Sequence, residues 1–165
     1  MNILGIDPGY ERVGIAVINK QPGQKETLLF SDCFRTPPKL PFSERLVMIG
    51  DAIGQTIGQY QIDALSIETL FFKNNQKTAM GVSEARGVII YKAASQKIPV
   101  YEYSPLQIKL TITGYGKSDK EQMIKMIPML VKITKPIKYD DEYDAIAAAL
   151  TCSAHERSFP QKLTS

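Results

Sequence analysis

The feature that most restricts the fold is the rhythm of the N-terminal stretch up to Arg35. Asn2 to Asp7, Val13 to Asn19 and Glu26 to Arg35 are strand-like runs, parted by the turn pairs Pro8-Gly9 and Pro22-Gly23. Short turns between successive apolar runs make neighbours pair antiparallel, so these three predict a meander. The periodicity then changes. Leu46, Ile49, Ile53 and Ile57 recur at three- and four-residue steps, which predicts a helix from Ser43 to Tyr60. Gly50, Gly54 and Gly58 weaken that helix individually but share one face, where close packing against another backbone is expected.

Farther along, Ala64 to Glu68 alternates as a short strand, Phe71 to Asn75 reads as a loop, and Gln76 to Lys97 as a long helix. Pro99 to Tyr103 is a fifth strand. Ser104-Pro105 caps and opens a helix. Ser118-x-x-Glu121 has the capping-box pattern of another, which Pro128 should kink or end. Asp141 to about Arg157 forms the last helix. Three strands, helix, strand, helix, strand, helices: this order predicts an α/β fold with a mixed five-stranded sheet flanked by helices. The expected organisation is one domain over residues 1–158 and a flexible tail over 159–165.

Composition excludes several classes. The 165 residues are 44% hydrophobic and 22% charged, ordinary for a globular chain. The net charge of +3 is compatible with nucleic acid without requiring it. Cys33 and Cys152 are far apart and lack CxxC spacing, which argues against a disulfide framework and a zinc ribbon and for a reducing cytoplasm. No run approaches the roughly 20 apolar residues of a membrane span, and the N-terminus lacks signal-peptide character. The expectation is a cytoplasmic protein with no membrane partner.

The informative residues are carboxylates at the ends of elements. Asp7 ends the first strand and Glu68 ends Leu65-Ser66-Ile67. Asp141 and Asp144 open the last helix and, three residues apart, share a face. Each has a purely structural explanation. Asp7 before Pro-Gly suits a turn, Glu68 suits an exposed strand end, and acids at a helix start complement its dipole. Jointly, two strand-end acids and two on one helical face can converge on a pair of hard cations. Magnesium prefers carboxylate oxygens, and two ions about 3.5–4 Å apart suit in-line phosphodiester cleavage. No Cys/His cluster competes, and His155 reads as an ordinary helix residue. Arg86 fits either a phosphate or an internal acid.

At these residues the chain resembles the RuvC family. The matching segments are Ile3-Leu4-Gly5-Ile6-Asp7-Pro8-Gly9 with Gly14; Ser66-Ile67-Glu68 with Phe71 and Lys73-Asn74; Glu84-Ala85-Arg86-Gly87; Tyr101-Glu102-Tyr103 through Lys109 and Thr113-Gly114; and Asp141-Glu142-Tyr143-Asp144-Ala145-Ile146-Ala147. The resemblance runs from Met1 to about Cys152. It implies a ribonuclease H-like fold and a homodimer that resolves four-way (Holliday) junction DNA by paired symmetric nicks, leaving 5′-phosphate and 3′-hydroxyl ends. It implies Asp7, Glu68, Asp141 and Asp144 as the metal-binding catalytic acids for two Mg²⁺ per subunit, with Mn²⁺ as a substitute. Lys109 and Lys120 match lysines near the scissile phosphate, and Phe71 matches an aromatic that stacks on a base. A branch-migration helicase is a further candidate partner.

The chain departs from the family pattern at several points. Asp140 adds an acid beside Asp141, though helical spacing favours Asp141, which pairs with Asp144. Phe72 follows Phe71 and leaves the stacking residue open between them. Lys117 lies near Lys120, and with Lys73 and Tyr115 completes the candidate DNA-binding set. For dimerisation the Gln76–Lys97 helix is the candidate surface, although burial within one subunit explains its composition equally well. Three rival readings remain: another ribonuclease H-like nuclease, an Asp-x-Gly nucleotide-binding domain, and a non-catalytic junction-binding protein.

Overall fold

A computed structural model describes residues 1–70 and 76–156. The expectations placed on Phe71, Phe72 and Lys73, and on the tail from residue 159, lie outside the described residues. The chain runs β1 (Asn2–Asp7), β2 (Arg12–Asn19), β3 (Glu26–Arg35), α1 (Phe42–Tyr60), β4 (Ala64–Glu68), α2 (Gln76–Ala94), β5 (Val100–Tyr103), α3 (Pro105–Thr113), α4 (Lys120–Leu130), β6 (Val131–Lys132) and α5 (Asp140–His155). The predicted meander is present: β1 pairs antiparallel with β2, and β2 with β3. β4 adds parallel to β1, and β5 parallel to β4.

Among the described residues the sheet has six strands, in the order β5-β4-β1-β2-β3-β6, rather than the five expected. The extra strand is Val131–Lys132, parallel to the start of β3. Two residues show no alternation, so periodicity has nothing to detect there.

The sheet is covered on both faces, and strand alternation sorts its side chains between two cores. Leu4, Ile6, Val13, Ile15, Val17, Leu65 and Ile67 pack with Ile49, Ile53 and Ile57 of α1 and with Ala85, Ile89 and Ala93 of α2. On the opposite face Ile3, Ala16, Ile18 and Ala64 pack under the alanine-rich α5, joined by Ile108 and Ile112 of α3 and Met123 and Ile127 of α4. Cys33 and Cys152 are free and buried. Among the described residues no helix is long and apolar enough to cross a membrane.

Two local expectations need correction. The cap of α4 is Asp119, one residue later than expected. Its carboxylate accepts from the Gln122 amide at 2.8 Å, and the Gln122 side chain accepts from the Asp119 amide at 3.1 Å. The overlapping Ser118/Glu121 pair loses to the charged acceptor, and the Ser118 hydroxyl bonds to the Tyr115 carbonyl instead. The helix continues past Pro128 to Leu130. The glycine face of α1 meets side chains, not a backbone. A Cβ at Gly50 would lie 3.1 Å from Val88 Cγ1, one at Gly54 would lie 2.5 Å from Lys92 Cε, and at Gly58 there is open space.

Candidate active site

The site forms where the C-terminal ends of β1 and β4 meet the first turn of α5. Ile6 and Ile67 are partners in the parallel β1–β4 register, so Asp7 and Glu68 follow as neighbours. Strand period fixes their side. Leu4 and Ile6 face α1 and α2, and therefore Ile3, Gly5 and Asp7 face α5. Likewise Leu65 and Ile67 point away while the Ser66 hydroxyl donates to the Ala148 carbonyl at 2.6 Å, which puts Glu68 on the α5 side.

Two glycines bring α5 down to the sheet. A Cβ at Gly5 would lie 2.1 Å from the Ala145 carbonyl oxygen, and one at Gly14 would lie 2.1 Å from that of Asp141. Any side chain at either position would lift the helix. Because Gly14 is the register partner of Asp7, the helix start carrying Asp141 and Asp144 is set directly over the strand-end acid. The N-terminal capping box of α5 is closed by Glu142, whose carboxylate accepts from the amides of Lys138 and Tyr139 and from the buried Ser31 hydroxyl.

The four acids therefore share one electrostatic site. Burial pushes the Asp7 carboxyl up to about 8, and the charges of Asp144, Glu68 and Asp141 add to the rise while Lys120 opposes it. Burial and then Asp144 push Glu68 up to about 7, with Lys109 pulling the other way. Asp144 is also raised, chiefly by burial, despite its bond to Lys120. Carboxylates held near neutral pH by burial and mutual repulsion mark a site that lacks positive charge.

Cations border the group. Lys120 Nζ lies 3.0 Å from Asp144 Oδ2 and 3.4 Å from Asp140 Oδ2. Arg12, at the start of β2, pairs with Asp141. Among the described residues no three His, Cys, Asp or Glu side chains are drawn into a closed metal cage. Like charges repel, and Asp141 and Asp144 are turned toward Arg12 and Lys120 instead. The donor set nevertheless fits a hard divalent cation: carboxylate oxygens on rigid element ends, short of positive charge, with no competing thiolate or imidazole.

Of the other sequence candidates, Lys109 on α3 acts on Glu68 through its charge. Tyr115 and Lys117 stand exposed on the α3–α4 turn and, among the described residues, form no ion pair or side-chain hydrogen bond with the acids. Asp140 is exposed and pairs with Lys120, whereas Asp141 lies against Gly14. Arg86, open in its role from sequence, pairs with Glu102 and donates to the Glu68 carbonyl at 3.2 Å, tying down the end of β4. His155 bonds to the Thr151 carbonyl one turn back. Sequence reasoning missed Arg12. Its signal was the period of two from Gly14, which turns residue 12 to the α5 face.

The family model for RuvC, crossover junction endodeoxyribonuclease, matches residues 3–152. The chain belongs to the RuvC family. RuvC proteins of Thermosipho melanesiensis and Desulfitobacterium hafniense are 42% and 41% identical to it. The first match covers 96% of this chain and 100% of that protein, the second 94% and 93%. The solved structure of T. thermophilus RuvC in complex with a Holliday junction substrate superposes with a TM-score of 0.86 at 29% identity, covering 93% of both chains. The ribonuclease H-like reading of the fold stands on this match, with six strands in place of five.

Proposed function

We propose that this RuvC-family chain resolves Holliday junctions by hydrolysing one phosphodiester in each of two symmetry-related strands, with Asp7, Glu68, Asp141 and Asp144 holding two Mg²⁺ ions at the scissile phosphate. The observation that carries the reading is the convergence of these acids where the ends of β1 and β4 meet the first turn of α5, close enough that Asp144, Glu68 and Asp141 all act on Asp7 through their charges. When bound, the ions would supply an acidified attacking water and offset charge on the departing 3′-oxygen, and Mn²⁺ would serve in their place. The chain's own part is positional. β1 and β4 present Asp7 and Glu68 from rigid strand ends, and α5, seated on Gly5 and Gly14, presents the other two. Lys120 and Lys109 supply fixed positive charge beside the acids, suited to the phosphate oxygens.

Two symmetric cuts need two sites, so the active species in this reading is a homodimer, each protomer a single nuclease domain over residues 1–158. In this reading one of Phe71 and Phe72 stacks on a base at the junction centre, and Lys73, Tyr115 and Lys117 are further DNA contacts. A branch-migration helicase is a candidate partner, and this reading sets the enzyme in the cytoplasm. The rival nuclease reading is tested by offering a four-way junction, a matched duplex, an RNA–DNA hybrid and a flap, and mapping products strand by strand with Mg²⁺ and with EDTA; the nucleotide-binding reading is tested by ATP calorimetry. Paired nicks at symmetric positions of the junction, present with Mg²⁺ alone, are the expected result. Preferential cutting of the hybrid or flap overturns the substrate assignment. Cutting that survives EDTA overturns the metal assignment.

A further inference from the structure

Arg12 and Arg35 are direct register partners on the antiparallel strands β2 and β3, at the end of the sheet where the acids lie. Like charges set opposite one another across a ladder repel, so this pairing calls for a compensating group. The compensation present is partial. Both guanidinium groups lie over the ring of Tyr139, with centroid distances of 5.8 Å for Arg12 and 4.5 Å for Arg35. Arg12 alone has a carboxylate, that of Asp141. Among the described residues Arg35 has no carboxylate partner. Asp32 lines the same cleft without an ion pair to either arginine, and Glu142 is committed to the Ser31 hydroxyl and to the amides of Lys138 and Tyr139. The cleft, about 580 Å³, is bordered by Lys135 and Lys138 as well as Arg35. It opens beside the acid site, because Tyr139 immediately precedes the acidic turn of α5.

Two facts conflict as the side chains stand. Asp141 is needed by the metal site of the proposed reaction, and it is also the carboxylate that pairs with Arg12. Once Asp141 turns to a cation, two adjacent planar guanidinium groups are left, Arg12 being 47% exposed. Guanidinium forks match phosphate oxygens in geometry and charge. We propose that Arg12 and Arg35 form a clamp for a backbone phosphate of the strand entering the acid site, and that Arg12 exchanges from Asp141 to that phosphate when Asp141 turns to a divalent ion. The inference rests on the junction-nuclease reading above. It adds a phosphate subsite on the β3 side of the acids, and it makes cation binding and strand gripping mutually dependent through one arginine.

The test is the salt dependence of junction binding, followed by fluorescence anisotropy, for wild type, Arg12→Gln, Arg35→Gln and a control, Lys25→Gln, at the opposite end of β3. It is run in Ca²⁺, to allow metal binding without relying on turnover, and again in EDTA. Each lost phosphate contact lowers the slope of log affinity against log salt by about 0.9. In Ca²⁺ both arginine variants should lose about that much and the lysine variant should not. In EDTA, where Asp141 keeps Arg12, Arg35→Gln alone should lose it. Arg35→Lys, which keeps the charge and is the milder change, should retain the slope with weaker affinity. Arginine variants with the wild-type slope, or with no more loss than Lys25→Gln, overturn the clamp. An equal loss for Arg12→Gln in EDTA and Ca²⁺ overturns the exchange. A wild-type chain that binds no junction at all overturns the functional reading and this inference with it, an outcome distinct from the others.

Discussion

Replacing Asp7 by Asn should make the metal-free protein more stable, and the gain should grow with pH. The folded protein holds the Asp7 carboxyl at about 8 against an ordinary 3.8, mainly through burial and then through Asp144, Glu68 and Asp141. A raised folded pKa means that the stability is intact below the unfolded value and lost as pH rises, the loss being complete near the folded value. Each tenfold difference in proton affinity is about 1.4 kcal/mol. The wild-type penalty relative to a neutral side chain is therefore about 2 kcal/mol at pH 5 and about 5 kcal/mol at pH 8, to order of magnitude. Asn is neutral and of nearly the same shape, so it escapes this penalty. Urea unfolding of both proteins in EDTA at pH 5, 6.5 and 8 reads the difference directly. A variant as stable as wild type at pH 8, or less so, refutes the burial of Asp7 among like charges. The stabilised variant should also fail to cut junctions, since the missing ligand is the reason wild type tolerates the strain.

Other consequences follow from the same geometry. Divalent-cation affinity, measured by calorimetry, should rise steeply from pH 6 to 8 and level above it, because Glu68 near 7 and Asp7 near 8 must release protons to bind; a flat profile contradicts this. Gly14→Ala should cost about 1–3 kcal/mol of stability and remove most junction cleavage, since its methyl would meet the Asp141 carbonyl and lift the start of α5; cleavage at the wild-type rate contradicts it. Arg86→Met should lower stability by about 1 kcal/mol or less, its partner Glu102 being half exposed, yet should reduce cutting roughly tenfold by loosening the end of β4, a change of about 1.4 kcal/mol in activation free energy.

Much of this architecture was legible because its signals are local. The turn pairs Pro8-Gly9 and Pro22-Gly23 mark a meander, and the three-and-four spacing of Leu46, Ile49, Ile53 and Ile57 marks α1 and its buried face. What escaped depends on partners distant in sequence. Val131–Lys132 is a strand because β3 is beside it, not because of its own pattern. The cap of α4 moved one residue because two overlapping box patterns compete and the carboxylate accepts more strongly. The positions of Asp7 and Glu68 at strand ends could be read directly. Their convergence with Asp141 and Asp144 is set by α5 resting on Gly5 and Gly14, a non-local contact. Arg12 was missed for the same reason: the period of two from Gly14 sets its face, but its partner Asp141 comes from the distant α5.

In the proposed function, four carboxylates from three separate elements hold the divalent ions that cut DNA. Anomalous diffraction from crystals grown with Mn²⁺ tests it at its root. Two peaks are expected within coordination distance of Asp7, Glu68, Asp141 and Asp144 together. Ions bound elsewhere, with these side chains still turned to Arg12 and Lys120, would contradict it.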